Sequence, residues 1–186
     1  MTIHSLDLQH IRVLIADSSD YFQSTMLGIL HAFGARHVSV AGSGADALDR
    51  SRRDVTDLLI CDWGLPGIDG FDLVKRIRSD GDNPNRYTPV IVLTSHAQSD
   101  NVVRARDCGA NIVLAKPFSP KALFLRLQWL TEDPRPFVIA PGYVGPDRRF
   151  KAGDPPSSQS ERRHDRQAVA PARQAQMAPA AQMAMA

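Results

Sequence analysis

Leu58-Leu59-Ile60-Cys61-Asp62-Trp63-Gly64-Leu65-Pro66-Gly67-Ile68-Asp69-Gly70 is the stretch on which the reading of the fold turns. It opens on four apolar residues, and an acid, Asp62, follows them directly. A short run that is apolar on both faces suits a strand of a parallel sheet covered on both sides. Four more runs of this kind lie around it: Ile11–Ala16, His37–Ala41, Val90–Leu93 and Ile112–Ala115. The segments between them have helical spacing. Phe22, Met26, Ile29, Leu30 and Phe33 recur at three and four residues, as do Leu73, Val74 and Ile77, then Leu123, Leu127 and Leu130. Ser43 is placed to cap the second helix, and Gly34 and Gly109 to close the first helix and the segment Val102–Cys108. The order is strand then helix, five times. Parallel strands need right-handed crossovers, so the pattern predicts an α/β fold with an open, doubly wound five-stranded parallel sheet.

Ligands of such sheets bind outside the carboxyl ends of the strands. The residues there are Asp17 after the first strand, Asp62 after the third, Thr94 after the fourth and Lys116 after the fifth. Two carboxylates, a hydroxyl and an ammonium in one cleft can bind Mg²⁺ and a phosphoryl group, because Mg²⁺ takes oxygen ligands and keeps several waters. Singly, each residue has a plainer use: Asp17 and Asp69 as turn or cap residues, Thr94 as a cap, Lys116 as a surface charge. Their joint occurrence at four strand ends is what points to a site.

Four motifs carry a resemblance to the receiver domain of bacterial response regulators. They are Val13-Leu14-Ile15-Ala16-Asp17, the Leu58–Gly70 stretch, Val92-Leu93-Thr94-Ser95 and Ala115-Lys116-Pro117-Phe118. The resemblance covers residues 9–132 and implies a flavodoxin-like (β/α)5 fold of the CheY-like kind. It implies Asp62 as phosphoacceptor for a histidine kinase or histidine phosphotransfer protein. It also implies Asp17, Asp62 and the Gly64 carbonyl as Mg²⁺ ligands, and Thr94 and Lys116 as the residues that meet the phosphoryl group. A cis peptide between Lys116 and Pro117 follows from it too, as does signalling to a downstream protein through the fifth strand and its flanking helices. Receivers are phosphoacceptors that assist their own phosphorylation and dephosphorylation rather than enzymes.

The chain departs from the family pattern at three positions. Ser18 stands where receivers carry a second acid, leaving a neutral ligand. Val113 occupies the switch position three before the lysine, where an aromatic is usual. Gly64, two after Asp62, leaves that side of the phosphoryl group uncovered. Two of these departures, Ser18 and Val113, motivate an alternative, a receiver-like scaffold that works without phosphorylation. A third reading rests on Gly42-Ser43-Gly44-Ala45-Asp46-Ala47, which fits a dinucleotide-binding G-x-G-x-x-A. That motif normally follows the first strand, and here it follows the second. An aspartyl-phosphate phosphatase would want an acid at Gly64. His96 has no paired carboxylate or second histidine, so a surface position is expected for it. Arg104 and Arg106 are expected on a helix surface, and Phe124 and Trp129 as helix-packing residues.

Composition bounds the remainder. A net charge of +2 gives no strong field toward nucleic acid or membrane. Cys61 and Cys108 lack metal-ligand spacing and read as buried apolar residues. The first ten residues carry no apolar run flanked by basic residues, so no signal peptide is expected and a cytoplasmic location is. Eight of the 13 prolines fall after residue 132, which marks 133–186 as a Pro/Ala/Gln-rich, largely disordered tail without an output domain. Within it, Arg135-Pro136-Phe137-Val138 and Tyr143-Val144-Gly145-Pro146-Asp147-Arg148-Arg149 resemble a pattern that follows the receiver in some stand-alone regulators. Ser160-Glu161-Arg162-Arg163 looks like a reduced second copy. Phe137, Val138 and Ile139 can pack on the domain in extended form. No helix-turn-helix or basic, aromatic-interleaved patch is present, so direct DNA binding is not expected.

Overall fold

A computed structural model describes residues 6–95, 104, 107–132, 135–147 and 167–169. Five parallel strands form the central sheet: β1 (Arg12–Ala16), β2 (His37–Ala41), β3 (Leu58–Asp62), β4 (Val90–Thr94) and β5 (Ile112–Ala115), in the order β2-β1-β3-β4-β5. The helices are α1 (Asp20–Ala32), α2 (Gly44–Arg53), α3 (Gly70–Ser79) and α4 (Pro120–Glu132). Of the crossover between β4 and β5, residues 95, 104 and 107–111 are described, with Arg104 and Asp107 in helical turns. His96 and Arg106 lie outside the described residues.

Strand alternation divides the core into two layers. Val13, Ile15, Leu58, Ile60, Ile91 and Leu93 face one side, where they meet Met26 and Leu30 of α1 and Leu123, Leu127 and Leu130 of α4. Leu14, Leu59, Cys61, Val90 and Val92 face the other, against Ala47 and Leu48 of α2 and Leu73, Val74 and Ile77 of α3. Each fully buried aliphatic side chain contributes roughly 1.5–3 kcal/mol, so neither face can be left uncovered. This is why β3 and β4 are apolar at consecutive positions, whereas the edge strand β2 alternates.

The helix starts are fixed by side-chain caps. The Ser19, Ser43 and Asp69 side chains accept from the backbone N–H of Phe22, Asp46 and Asp72 in the first turns of α1, α2 and α3. Gly34 and Gly109 adopt φ of +92° and +91° at the ends of helical segments, as expected. Gly44 is required for a different reason: a Cβ there would overlap the Ile68 carbonyl. Gly44 of the Gly42–Ala47 motif therefore serves a tight contact between α2 and the loop after β3. A dinucleotide site is not needed to explain it.

The packed body continues past residue 132. Strands β6 (Phe137–Ala140) and β7 (Tyr143–Pro146) form an antiparallel hairpin, and β8 (Gln167–Val169) pairs with the other edge of β6. The hairpin turns at Pro141-Gly142, with Gly142 at φ +73°, the value that the third position of a type II turn requires. Phe137 is fully buried and Val138 nearly so, in the extended packing the sequence allows. Phe137 lies under the guanidinium of Arg78, at 4.9 Å, and edge-on to Tyr87. Arg78 is itself buried and donates to the carbonyls of Gly109, Asn85, Arg86 and Thr88 at 2.6–3.4 Å. Burial pushes its pKa down to about 10, so it remains charged at neutral pH and needs those acceptors. The segments Arg148–Arg149 and Ser160–Arg163 lie outside the described residues.

Candidate functional site

The parallel sheet brings four strand ends to one rim, because all its strands point the same way. β1 and β4 flank β3, and β5 flanks β4. Asp17 follows β1 and is buried, Asp62 ends β3, and Thr94 ends β4 and is buried. Asp62 pairs in register with Leu93, so Thr94 lies one residue beyond its neighbour. Lys116 follows β5, and its N–H donates to the Thr94 carbonyl at 2.7 Å. The bond between Lys116 and Pro117 is cis, as the resemblance implies.

Lys116 is the hub. Its Nζ stands 2.8 Å from Asp17 Oδ2 and 2.7 Å from Asp62 Oδ1. One ammonium thus offsets two carboxylates that are largely withdrawn from water, where like charges would otherwise repel strongly. The backbone N–H of Ser19 donates to Asp17 Oδ1, and that of Gly64 donates to Asp62 Oδ2. Gln23 ties the start of α1 to the Asp17 carbonyl at 2.6 Å. Asp62 Oδ1 is buried, and its contact with Lys116 lacks hydrogen-bond alignment. That oxygen retains acceptor capacity within a carboxylate pair, which suits a hard dication.

The donor set fits Mg²⁺ of the kind that keeps several waters. Asp17, Asp62 and the Gly64 carbonyl are its candidate ligands, with the exposed Ser18 hydroxyl beside them. Among the described residues no group of three or more His, Cys, Asp or Glu is arranged to hold a metal.

The surrounding residues explain how the rim is held. Asp69 caps α3 with one oxygen and ion-pairs with Arg104 through the other, at 2.8 Å. Arg104 also lies over the Phe71 ring. A Cβ at Gly70 would overlap the Asp62 carbonyl, so only glycine lets α3 start directly beneath the acid. Val113 is partly buried against the α2–α3 layer and offers no ring to follow Thr94. Cys61 and Cys108 are buried thiols. Burial pushes Cys61 well up and Cys108 up to about 11, which removes both as nucleophiles at neutral pH.

Phe22 was legible only as a helix-packing residue. The structure puts its ring centroid 3.7 Å from Lys116 Nζ, with Phe118 edge-on at 6.1 Å. Helical spacing carries no trace of that contact, because its partner comes from the far end of the sheet.

Residues 13–128 match the response regulator receiver domain family, and the chain belongs to it. It is 27% identical over 124 residues to the chemotaxis protein CheY-3 of Vibrio cholerae, covering 67% of this chain and 94% of that one. Among solved structures it resembles chemotaxis protein CheY4 of Vibrio cholerae, with a TM-score of 0.58 and 29% identity over 63% of this chain and 96% of that chain. The receiver domain of a sensor histidine kinase from Pseudomonas aeruginosa gives 0.58 and 28%, over 63% and 94%. A magnesium ion is coordinated in the active-site cleft of that structure.

Proposed function

We propose that this chain is a two-component response regulator whose phosphoacceptor is Asp62. The observation that supports this most directly is the bridge from Lys116 to both Asp17 and Asp62, at 2.8 and 2.7 Å on one rim. In the proposed reaction an Asp62 oxygen attacks phosphorus, the bond from phosphorus to a donor histidine nitrogen breaks, and an acyl phosphate forms. When bound, Mg²⁺ would offset the repulsion between the carboxylate and the incoming anion. Lys116 would follow the charge from carboxylate to phosphoryl oxygen, and the Thr94 hydroxyl would donate to another. Gly64 has no side chain to obstruct the approach to Asp62.

The donor would be a histidine kinase or a histidine phosphotransfer protein. The receiver of phospho-Asp62 would be a downstream protein that reads the face of β5 and the helices beside it. A scaffold that ignores phosphorylation has no use for two near-buried carboxylates on a shared lysine. No helix among the described residues is long and apolar enough to cross a membrane. The reading is of a cytoplasmic protein that contacts partners rather than DNA.

The test is chemical. Acetyl phosphate with Mg²⁺ is expected to add one phosphoryl mass to the full chain, and Asp62→Asn to abolish it. Persistent labelling of that variant in intact-mass spectra would move the acceptor elsewhere.

A further inference from the structure

We infer that Phe22 is a positioning residue for Lys116, an aromatic seat on α1 that holds the ammonium over the carboxylate pair. The inference rests on the proposed phosphoacceptor role of Asp62 for its consequence, but its geometry stands apart from that role. Lys116 Nζ lies 3.7 Å from the ring centroid of Phe22, within the range where the negative face of a ring attracts a cation. The same nitrogen contacts Asp17 and Asp62 on its other sides. The Lys116 side chain is only 18% exposed, so the attraction is little screened.

The seat is braced from both ends. Phe22 is in the first turn of α1, whose cap, Ser19, receives its N–H, and Gln23 beside it bonds the Asp17 carbonyl. Phe118, two residues beyond Lys116, meets the Phe22 ring edge-on with an interplanar angle of 82°. The loop that carries the lysine and the helix that follows the acid are thus joined through two rings. A free lysine has four rotatable bonds, and the ring contact offsets part of the rotamer entropy lost when they are fixed. Val113 leaves the family's usual aromatic position empty of a ring. Phe22 brings a ring to the charged cluster from α1 instead.

The ring should shield the lysine side chain. In the NMR spectrum of the full chain, the Lys116 ε-methylene protons are expected well upfield of those of other lysines, and Phe22→Leu is expected to return them to the ordinary position. The same variant should lower the rate of acetyl-phosphate labelling by roughly three- to tenfold. Phe22→Tyr, which keeps the ring face, should recover most of both signals. Phe22→Met is the alternative if Phe22→Leu melts early. An unshifted Lys116 resonance in the parent protein, or equal rates for Leu and Tyr, would overturn the seat. If the parent protein takes no label at all, the phosphoacceptor reading fails, and the resonance alone decides whether Phe22 holds the lysine.

Discussion

Lys116→Met is expected to bind Mg²⁺ more tightly than the parent protein and yet accept a phosphoryl group about a hundredfold more slowly. The two effects have one origin. The ammonium contacts both carboxylates, so a dication approaching Asp17 and Asp62 meets a like charge already in place. At 4 Å two unit charges in a partly buried site interact by about 4 kcal/mol, and even a third of that is worth roughly tenfold in affinity. Removing the charge leaves the carboxylates to the metal. It also removes the group placed to neutralise charge moving onto the phosphoryl oxygens. Without Mg²⁺ the variant should lose stability, because breaking a buried ion pair leaves an uncompensated charge and costs about 3–5 kcal/mol. Millimolar Mg²⁺ should restore much of it through selective binding to the folded state. Trp63 adjoins Asp62 and is one of two tryptophans, so its fluorescence in a Trp129→Phe background reports metal binding. Unchanged Mg²⁺ affinity, or labelling at the parent rate, would show that the Lys116 bridge controls neither metal binding nor phosphoryl transfer.

The sheet was readable because its strands announce themselves. Runs such as Val90–Leu93 are apolar at every position, which only a doubly covered sheet requires, and the observed strands begin and end within one residue of those runs. That Asp17, Asp62, Thr94 and Lys116 share one rim was readable for a related reason: topology fixes where a strand end goes, whatever its side chain. The contacts that escaped depend on tertiary neighbours. Phe22 has the spacing of a core residue, and nothing local says that its ring will face a lysine. Asn85 looks like a loop residue, yet it is buried. It accepts from the Thr56 N–H and donates to the carbonyls of Ser51 and Asp54, tying the connection before β4 to the end of α2 and the connection before β3. Asp69 was legible as a cap, but its second oxygen pairs with Arg104, a partner 35 residues away.

Residues 135–147 are packed although prolines are dense there, and they yield the second large effect. Proline density argues against structure because the residue lacks an N–H and resists sheet interiors. In the hairpin the prolines occupy places where that matters little. Pro141 is in the turn, Pro136 precedes β6 and serves as an acceptor for the Asp147 N–H, and Pro146 ends β7. The residues between them supply an apolar strand that closes over Arg78. Phe137→Ala is therefore expected to cost about 3–5 kcal/mol, the usual range for a buried aromatic. It removes a fully buried ring and uncovers a guanidinium that has given up water for backbone carbonyls. Set against a typical stability of about 5–15 kcal/mol, the loss would bring the protein near its threshold. Ending the chain at residue 132 should do at least as much harm, since Val138 leaves with Phe137. Urea denaturation of the two variants beside the parent measures both. A loss below about 1 kcal/mol for Phe137→Ala, the range of surface substitutions, would mean that the hairpin does not seal the base of α3 in solution.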